Sequence, residues 1–169
     1  MDTELKHRRI QRLKCSVQNY DWGKRGAESR VARLYALNSG SSIEEDKPYA
    51  EFWIGTHESG PSLLLENGVD NGASIGSRNL SLKEWTAKNP NVLGRKVLDK
   101  WGCDLPFLFK VLSVAKALSI QAHPDKKLAK QLHKERPDIY KDGNHKPEMA
   151  LAITNFEALC GFISPKVVY

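Results

Sequence analysis

Short runs of β-branched and aromatic residues, separated by turn-rich segments, most constrain the fold of this 169-residue chain. Runs of this length and composition are typical of strands in an antiparallel core. The segments between them are polar and rich in turn formers; residues 67–80 alone hold three Gly and three Asn. The predicted strands cover residues 15–19 (before a turn at 21–23), 50–55, 62–66, two parts of 107–123 around a turn at 115–116, and 148–156.

Helical signals begin at Ser81. Ser81 and Glu84 have the spacing of a capping box, in which each side chain bonds a free amide of the first turn, so a helix is predicted from Ser81 to a point before Pro90. Further helical turns are predicted over residues 92–100, with Gly102 as the C-terminal cap.

A last helix is predicted from Pro124 to Arg136, with Leu128 and Leu132 on one face. The helices do not alternate regularly with the strands. We therefore expect a mainly β fold, a barrel or double sheet with helices outside it, rather than a doubly wound α/β fold.

Composition excludes several classes of protein. Charged residues make up 27% of the chain and apolar residues 40%, which is typical of a globular protein. The apolar stretch 105–115 is broken by Lys110 and is too short to span a membrane.

The basic N-terminus has no apolar stretch behind it, so we expect a solvated extension rather than a signal peptide, with a transit peptide as the alternative. Three cysteines without C-x-x-C spacing (Cys15, Cys103 and Cys160) favour reduced thiols in the cytoplasm.

The net charge of +6 is concentrated in one stretch. Residues 110–146 contain nine Lys or Arg and four Asp or Glu, a net charge of +5. This stretch has one aromatic residue, Tyr140, and no basic run, so it lacks the stacking platforms of a nucleic-acid-binding module. A cleft that attracts one small phosphorylated ligand explains the charge equally well. For Lys127, Lys130 and Lys134 a solvated helix face is the alternative.

Two segments place polar side chains on one face. As a strand, residues 118–123 would present Ser119, Gln121 and His123 on one side and an apolar row on the other. Residues 146–153 would likewise present Lys146 and Glu148 beside small alanines. If both strands face a common cavity, Gln121, His123 and Glu148 could bind a divalent ion, and their nitrogen and oxygen donors suit zinc. On spacing alone the metal signal is weak, and a Gln-x-His pair is more often a hydrogen-bonded pair than a metal site.

Four ordered segments make the chain resemble the N-terminal part of type I phosphomannose isomerases. The last of them, Y-x-D-x-N-H-K-P-E, is the most specific signature of that family and is present without a substitution. The segments are S-V-Q-N-Y-D-W-G from Ser16, A-E-F-W-I-G-T-H from Ala50, S-I-Q-A-H-P-D-K from Ser119, and Y-K-D-G-N-H-K-P-E from Tyr140.

The resemblance implies a cupin (jelly-roll) core and one zinc ion per chain, bound by Gln121, His123, Glu148 and a later His. It implies that mannose 6-phosphate and fructose 6-phosphate are interconverted at the start of GDP-mannose synthesis, with zinc as the Lewis acid. Lys146 and Ser119 would act as catalytic groups that position the sugar phosphate. The implied substrate-binding residues are Trp22, Glu51, Lys110, Ser119 and Lys146. For Trp22 and Glu51, packing and hydrogen-bonding support are the alternative, and His145 and Tyr140 are expected to be structural.

Family members are more than twice as long as this chain. We expect a basic extension over residues 1–14, the N-terminal part of the cupin over 15–163 and a divergent tail over 164–169, as in a truncated or alternatively spliced product. The segment with the fourth ligand would then be missing. The competing hypothesis to an isomerase is therefore a noncatalytic cupin fragment that binds zinc weakly or acts through a partner.

Overall fold

The computed structural model describes residues 10–65, 80–159 and 161. The chain forms two compact units, and the division falls between Leu118 and Ser119. Each unit is described by itself.

The first unit contains all the strands that occur in the described residues. In chain order its elements are β1 (Leu13–Lys14), β2 (Ser16–Gln18), a 3₁₀ turn (Gly26–Glu28), α1 (Arg30–Ser39), β3 (Glu51–Ile54), β4 (Leu63–Leu64), α2 (Leu82–Lys88), a 3₁₀ turn (Pro90–Leu93), α3 (Arg95–Trp101) and β5 (Phe109–Leu112). β1 pairs with β4, and β2, β3 and β5 form a three-stranded sheet in that order.

The three-stranded sheet is antiparallel throughout, with β3 at its centre. Alternation along the strands gives it one apolar face, which carries Val17, Phe52 and Val111. The opposite face carries the intervening residues of the same strands, among them Glu51 and Lys110, and it is polar. The central strand therefore has a core side and a side that is available for chemistry.

The apolar face packs into the main core of this unit, which includes Val31 and Ala32 of α1. Sequence analysis did not predict α1, although both of its ends carry a standard signal. The Ser29 hydroxyl accepts a hydrogen bond from the Ala32 amide at 3.2 Å, and Gly40 ends the helix at φ 73° in the left-handed region. A ten-residue helix with a mixed apolar pattern depends on this packing and on these caps for its stability.

Most elements predicted for the first unit are confirmed. The strands at 50–55 and 62–66 form as β3 and the shorter β4, and the turns at 21–23 and 115–116 are present. The predicted strand 15–19 is interrupted at Cys15, and Leu13 and Lys14, from the predicted extension, form β1. The capping box at Ser81 is complete, and Gly102 caps α3 with a φ of 72°.

The second unit contains one helix within the described residues, α4 (Lys126–Glu135). Its N-cap is Asp125, whose carboxylate accepts hydrogen bonds from the Lys127 and Leu128 amides, so the prediction of Pro124 at the first helical position is wrong. An aspartate side chain satisfies two free amides at this terminus, whereas a proline ring satisfies none.

The strands predicted over residues 118–123 and 148–156 are also wrong for the described chain. Neither segment pairs with another described segment, and the apolar row expected to face a core is exposed, with Ile120 at 101% and Met149 at 97%. Alternation creates a strand only where a neighbouring backbone supplies hydrogen bonds and a core covers one face.

The described part of the chain is therefore mixed rather than mainly β, with four helices of seven to ten residues and five strands of two to four. None of these helices has the length and apolar composition needed to cross a membrane.

Candidate functional site

The polar face of β3 brings two of the predicted substrate-binding residues together. Glu51 is buried, with 7% of its side chain exposed, and the Lys110 ammonium lies 3.2 Å from its Oε2 atom. The indole Nε1 of Trp53 donates a hydrogen bond to the same oxygen at 2.5 Å. Because Glu51 and Trp53 are two residues apart on one strand and Lys110 is the cross-strand neighbour of Trp53, the backbone register fixes this group.

The contacts of Glu51 explain how a carboxylate can be buried here. Desolvation of a charge costs several kcal/mol, and only close partners offset it. The Lys110 ammonium is one such partner, and it also lies 5.0 Å from the centre of the Trp53 ring, within range of a cation–π interaction. The three side chains thus form one mutually stabilised cluster.

A loop after β3 lies along the same face of the sheet. The Ser16 hydroxyl donates to the Gly60 carbonyl at 2.8 Å, and the Gln18 amide donates to the Ser59 carbonyl at 3.3 Å. His57 meets the Trp53 ring edge-on, with 5.0 Å between the ring centres. Polar side chains of β2 therefore hold this loop beside the Glu51 cluster.

Trp22 lies on the turn that follows β2. Its carbonyl accepts a hydrogen bond from the Ala115 amide at 3.0 Å, and its ring stacks on Tyr20 at 5.9 Å. Burial raises the pKa of the Tyr20 hydroxyl, and the charge of Glu51 raises it further. The aromatic pair is therefore within the electrostatic influence of the buried carboxylate.

The turn depends on a glycine that follows Trp22. A Cβ atom at Gly23 would lie 2.6 Å from backbone atoms of Ala50, so a larger residue would push the turn away from the start of β3. Next to the turn, Asp21 and Lys116 form an exposed ion pair at 2.7 Å.

The second unit brings two of the three predicted metal ligands together. Nε2 of His123 lies 3.4 Å from Oε1 of Glu148. Two ligand atoms of a tetrahedral zinc ion, each about 2.0–2.1 Å from the metal, are about 3.4 Å apart. The pair is therefore spaced as two ligands of one ion, and the same distance also fits an ion pair with a protonated imidazole.

The third predicted ligand is oriented by its neighbour. The Gln121 amide nitrogen donates to the Ser119 hydroxyl at 3.2 Å, which leaves the amide oxygen of Gln121 free to bind a cation. Within the described residues no three His, Cys, Asp or Glu side chains are grouped as a metal site, so an amide oxygen would have to complete the set. Lys146 is exposed and bonds no other group in the described part of the chain.

The segment that precedes Lys146 is attached to α4. His133 bonds the Tyr140 carbonyl through Nδ1 at 2.5 Å, and a Cβ atom at Gly143 would lie 3.3 Å from the His133 ring. The Asp142 carboxylate accepts from the Asn144 amide at 2.9 Å, which forms a tight turn. The helix and this turn together set where residues 146–148 begin.

Comparison with known proteins shows the family of this chain. The family model described as phosphomannose isomerase type I, catalytic domain, matches residues 10–164. The chain belongs to this family.

Phosphomannose isomerases from distant organisms align with most of the chain. It is 62% identical to mannose-6-phosphate isomerase 1 of Arabidopsis thaliana over 95% of the chain, and 51% identical to the Homo sapiens enzyme over 91%. In both cases it spans about 35% of the length of the relative. A solved structure of mannose 6-phosphate isomerase from Salmonella typhimurium, bound to fructose 6-phosphate and zinc, matches with a TM-score of 0.59 and 35% identity over 80% of this chain and 33% of that one.

Sequence reasoning missed two residues, one inside a phosphomannose isomerase segment and one that contacts such a segment. Trp53 bonds Glu51, and period-2 alternation from Glu51 along β3 was the available signal. His133 holds the Tyr140 carbonyl, and its place on the last turn of α4 was the only signal for it.

Proposed function

We propose that this chain provides the zinc-binding and substrate-binding residues of an aldose–ketose isomerase that interconverts mannose 6-phosphate and fructose 6-phosphate. The observation that carries the proposal is the 3.4 Å separation of His123 Nε2 and Glu148 Oε1. Membership of the phosphomannose isomerase family and the solved relative bound to zinc and fructose 6-phosphate support it.

The residues fit a zinc ion. His123, Glu148 and Gln121 would supply one imidazole nitrogen and two oxygens, and three protein ligands leave a position open for water or substrate, as at catalytic zinc sites. When bound, zinc supplies a positive centre that stabilises negative charge on the substrate oxygen. Ser119 would not bind the metal itself. Its hydroxyl accepts a hydrogen from the Gln121 amide nitrogen and so keeps the Gln121 oxygen available to the metal.

The remaining side chains would bind the sugar phosphate. The Lys146 ammonium is free to donate to a phosphate or hydroxyl oxygen, and the Ser119 hydroxyl can bind a substrate group through its remaining donor. Glu51, held by Lys110, would accept from a sugar hydroxyl, and the Trp22 ring would supply an apolar surface. Orientation of the substrate by such groups lowers the entropic part of the barrier to proton transfer.

Further parts of the proposal come from the resemblance. We propose that residues 15–163 form the N-terminal part of a cupin core, followed by a short tail (164–169) and preceded by a basic extension whose last two residues, Leu13 and Lys14, join the structure as β1. We also propose that the protein acts in the cytoplasm in GDP-mannose synthesis, where its thiols stay reduced; Cys15 and Cys103 are both free of disulfides.

A second candidate is a noncatalytic zinc-binding fragment. It is favoured by the 68% exposure of the Glu148 side chain. Exposed ligands bind a metal less tightly than a closed four-ligand site.

An isomerase assay with and without zinc separates the two candidates. We expect zinc-dependent formation of fructose 6-phosphate from mannose 6-phosphate, together with one bound zinc per chain. His123→Ala should abolish both, whereas His145→Ala, at an exposed histidine in the segment that contains Glu148, should leave both intact. Zinc binding without turnover would support the noncatalytic fragment, and unchanged zinc binding in His123→Ala would overturn the metal assignment.

A further inference from the structure

The two oxygens of the buried Glu51 carboxylate have different surroundings. The Trp53 indole donates a hydrogen bond to Oε2 at 2.5 Å, and the Lys110 ammonium forms an ion pair whose shortest distance, 3.2 Å, is also to Oε2. Within residues 10–65, 80–159 and 161 no hydrogen bond to Oε1 occurs. In the described residues every fully buried side-chain nitrogen or oxygen has a hydrogen-bond partner. Because Oε1 has none there, it is not fully buried. Within the described residues, Glu51 therefore has one hydrogen-bonded oxygen and one oxygen without a hydrogen-bond donor.

Trp53 is well placed to maintain this difference. It is 6% exposed, and a buried indole N–H needs an acceptor, which here is Glu51. The indole is rigid and contacts both the His57 ring and the Lys110 ammonium, whereas a lysine side chain alone can rotate away. The indole bond thus fixes which oxygen is occupied.

We propose that Trp53 is a positioning residue: its N–H holds Oε2 of Glu51 so that Oε1 faces outward as the acceptor for a hydroxyl group of a sugar phosphate. The proposal rests on the isomerase function proposed above for the identity of the ligand. The Trp53–Glu51 bond itself does not depend on that function. Trp53 acts through Glu51 and does not bond the ligand.

A double-mutant cycle tests the proposal in the whole chain. Trp53→Phe keeps an aromatic ring over Lys110 but removes the N–H, and Glu51→Gln keeps the shape of the side chain but removes the charge. Trp101→Phe is the matched control, because Trp101 is 46% exposed on α3 and has no contact with Glu51. The measurement is the dissociation constant for fructose 6-phosphate by calorimetry in the presence of zinc, with thermal unfolding recorded for each variant.

We expect Trp53→Phe to weaken binding at least about 10-fold, the lower range for loss of a hydrogen bond to a charged group, and Trp101→Phe to leave binding unchanged. If Trp53 acts through Glu51, the double variant should bind no more weakly than Glu51→Gln within a factor of about 2. Fully multiplicative effects of the two substitutions would show that Trp53 merely packs, and would overturn the proposal.

A spectroscopic measurement separates this proposal from the isomerase function. In ¹H–¹⁵N spectra the Trp53 indole resonance should shift upfield in Glu51→Gln, because its hydrogen bond then goes to a neutral acceptor, while the Trp101 indole resonance should stay in place. An unmoved Trp53 resonance would overturn the positioning role. A wild-type chain that shows the Trp53 shift but does not bind fructose 6-phosphate would overturn the ligand assignment and the proposed function while upholding the Trp53–Glu51 bond.

Discussion

At the scale of single residues, lysines that look alike in the sequence have different surroundings in the structure. Lys110 is two-thirds buried against Glu51 and Trp53, whereas Lys146 and Lys130 are exposed and bond no group of the described chain. The sequence shows all three as members of one basic stretch. In the sequence, Lys146 is distinguished from Lys130 only because it lies two residues before Glu148, a predicted metal ligand.

Removing these charges one at a time tests that distinction. We expect Lys146→Met to weaken the binding of fructose 6-phosphate about 10- to 150-fold, the range for a lost charged hydrogen bond of about 1.5–3 kcal/mol. Lys130→Met removes an equal charge from α4 and should change binding by less than a factor of about 2. Equal effects in calorimetric titrations would show that Lys146 contributes only to the general positive charge.

The exposed pair of Asp21 and Lys116 should give a small pH dependence of stability. A hydrogen bond from Lys116 lowers the pKa of the Asp21 carboxyl below its usual value, and the Lys116 charge contributes further. A carboxyl whose pKa is depressed by folding stabilises the folded state above its unfolded pKa, about 3.9, and loses that contribution as pH falls through the folded pKa.

Asp21→Asn should therefore be less stable than the wild type at pH 7, and this difference in stability should shrink as pH falls through the lowered folded-state pKa of Asp21. Urea unfolding at pH 7, 4 and 2.5 measures the difference, and Asp46→Asn serves as an exposed control near a neighbouring turn. A difference that does not shrink between pH 4 and 2.5 would mean that the Asp21 side chain acts by packing and not by charge.

At the scale of elements, local signals predicted the ends of helices better than their existence. The capping box at Ser81 and the glycine at Gly102 could be recognised because each satisfies free backbone groups within a few residues. α1 was missed because its stability comes from burial of Val31 and Ala32 against β3, a contact between residues about 20 positions apart.

The N-cap of α1 is the residue that connects this helix to the sheet. The Ser29 hydroxyl accepts from the Ala32 amide and donates to the Tyr49 carbonyl at 2.8 Å, and Ser29 is fully buried. Ser29→Ala should lower the free energy of unfolding by about 1–3 kcal/mol, because it removes a cap and leaves a buried carbonyl unpaired. Ser41→Ala, an exposed site just after the helix, should have little effect. Chemical denaturation of both variants measures the difference, and equal stabilities would contradict the role assigned to Ser29.

At the scale of the whole molecule, the two units differ in how their backbones are satisfied. In the first unit β3 is bonded on both sides, by β2 and by β5. Within residues 141–159 the described structure gives one backbone amide with a bonded acceptor, that of Asn144. Residues 146–153 alternate polar or small residues with larger apolar ones more regularly than β3 (Glu-Phe-Trp-Ile) does, so the pattern itself could not show which of the two segments would find a pairing partner.

Hydrogen exchange of the intact chain tests this difference directly. Amides of β3 should exchange orders of magnitude more slowly than those of residues 146–153, because exchange from a paired central strand requires opening of the sheet, whereas unpaired amides exchange without it. Mass spectrometry of peptides covering residues 49–56 and 145–154 gives both rates in one sample.

Exposed Met149, Leu151 and Ile153 make the second segment a candidate for pairing with another chain, so the measurement should be repeated over a tenfold range of protein concentration. Protection of residues 146–153 equal to that of β3 at every concentration would show that these residues form an intramolecular strand after all, as their alternation predicts. Protection that grows with concentration would show that the missing backbone partner is a second copy.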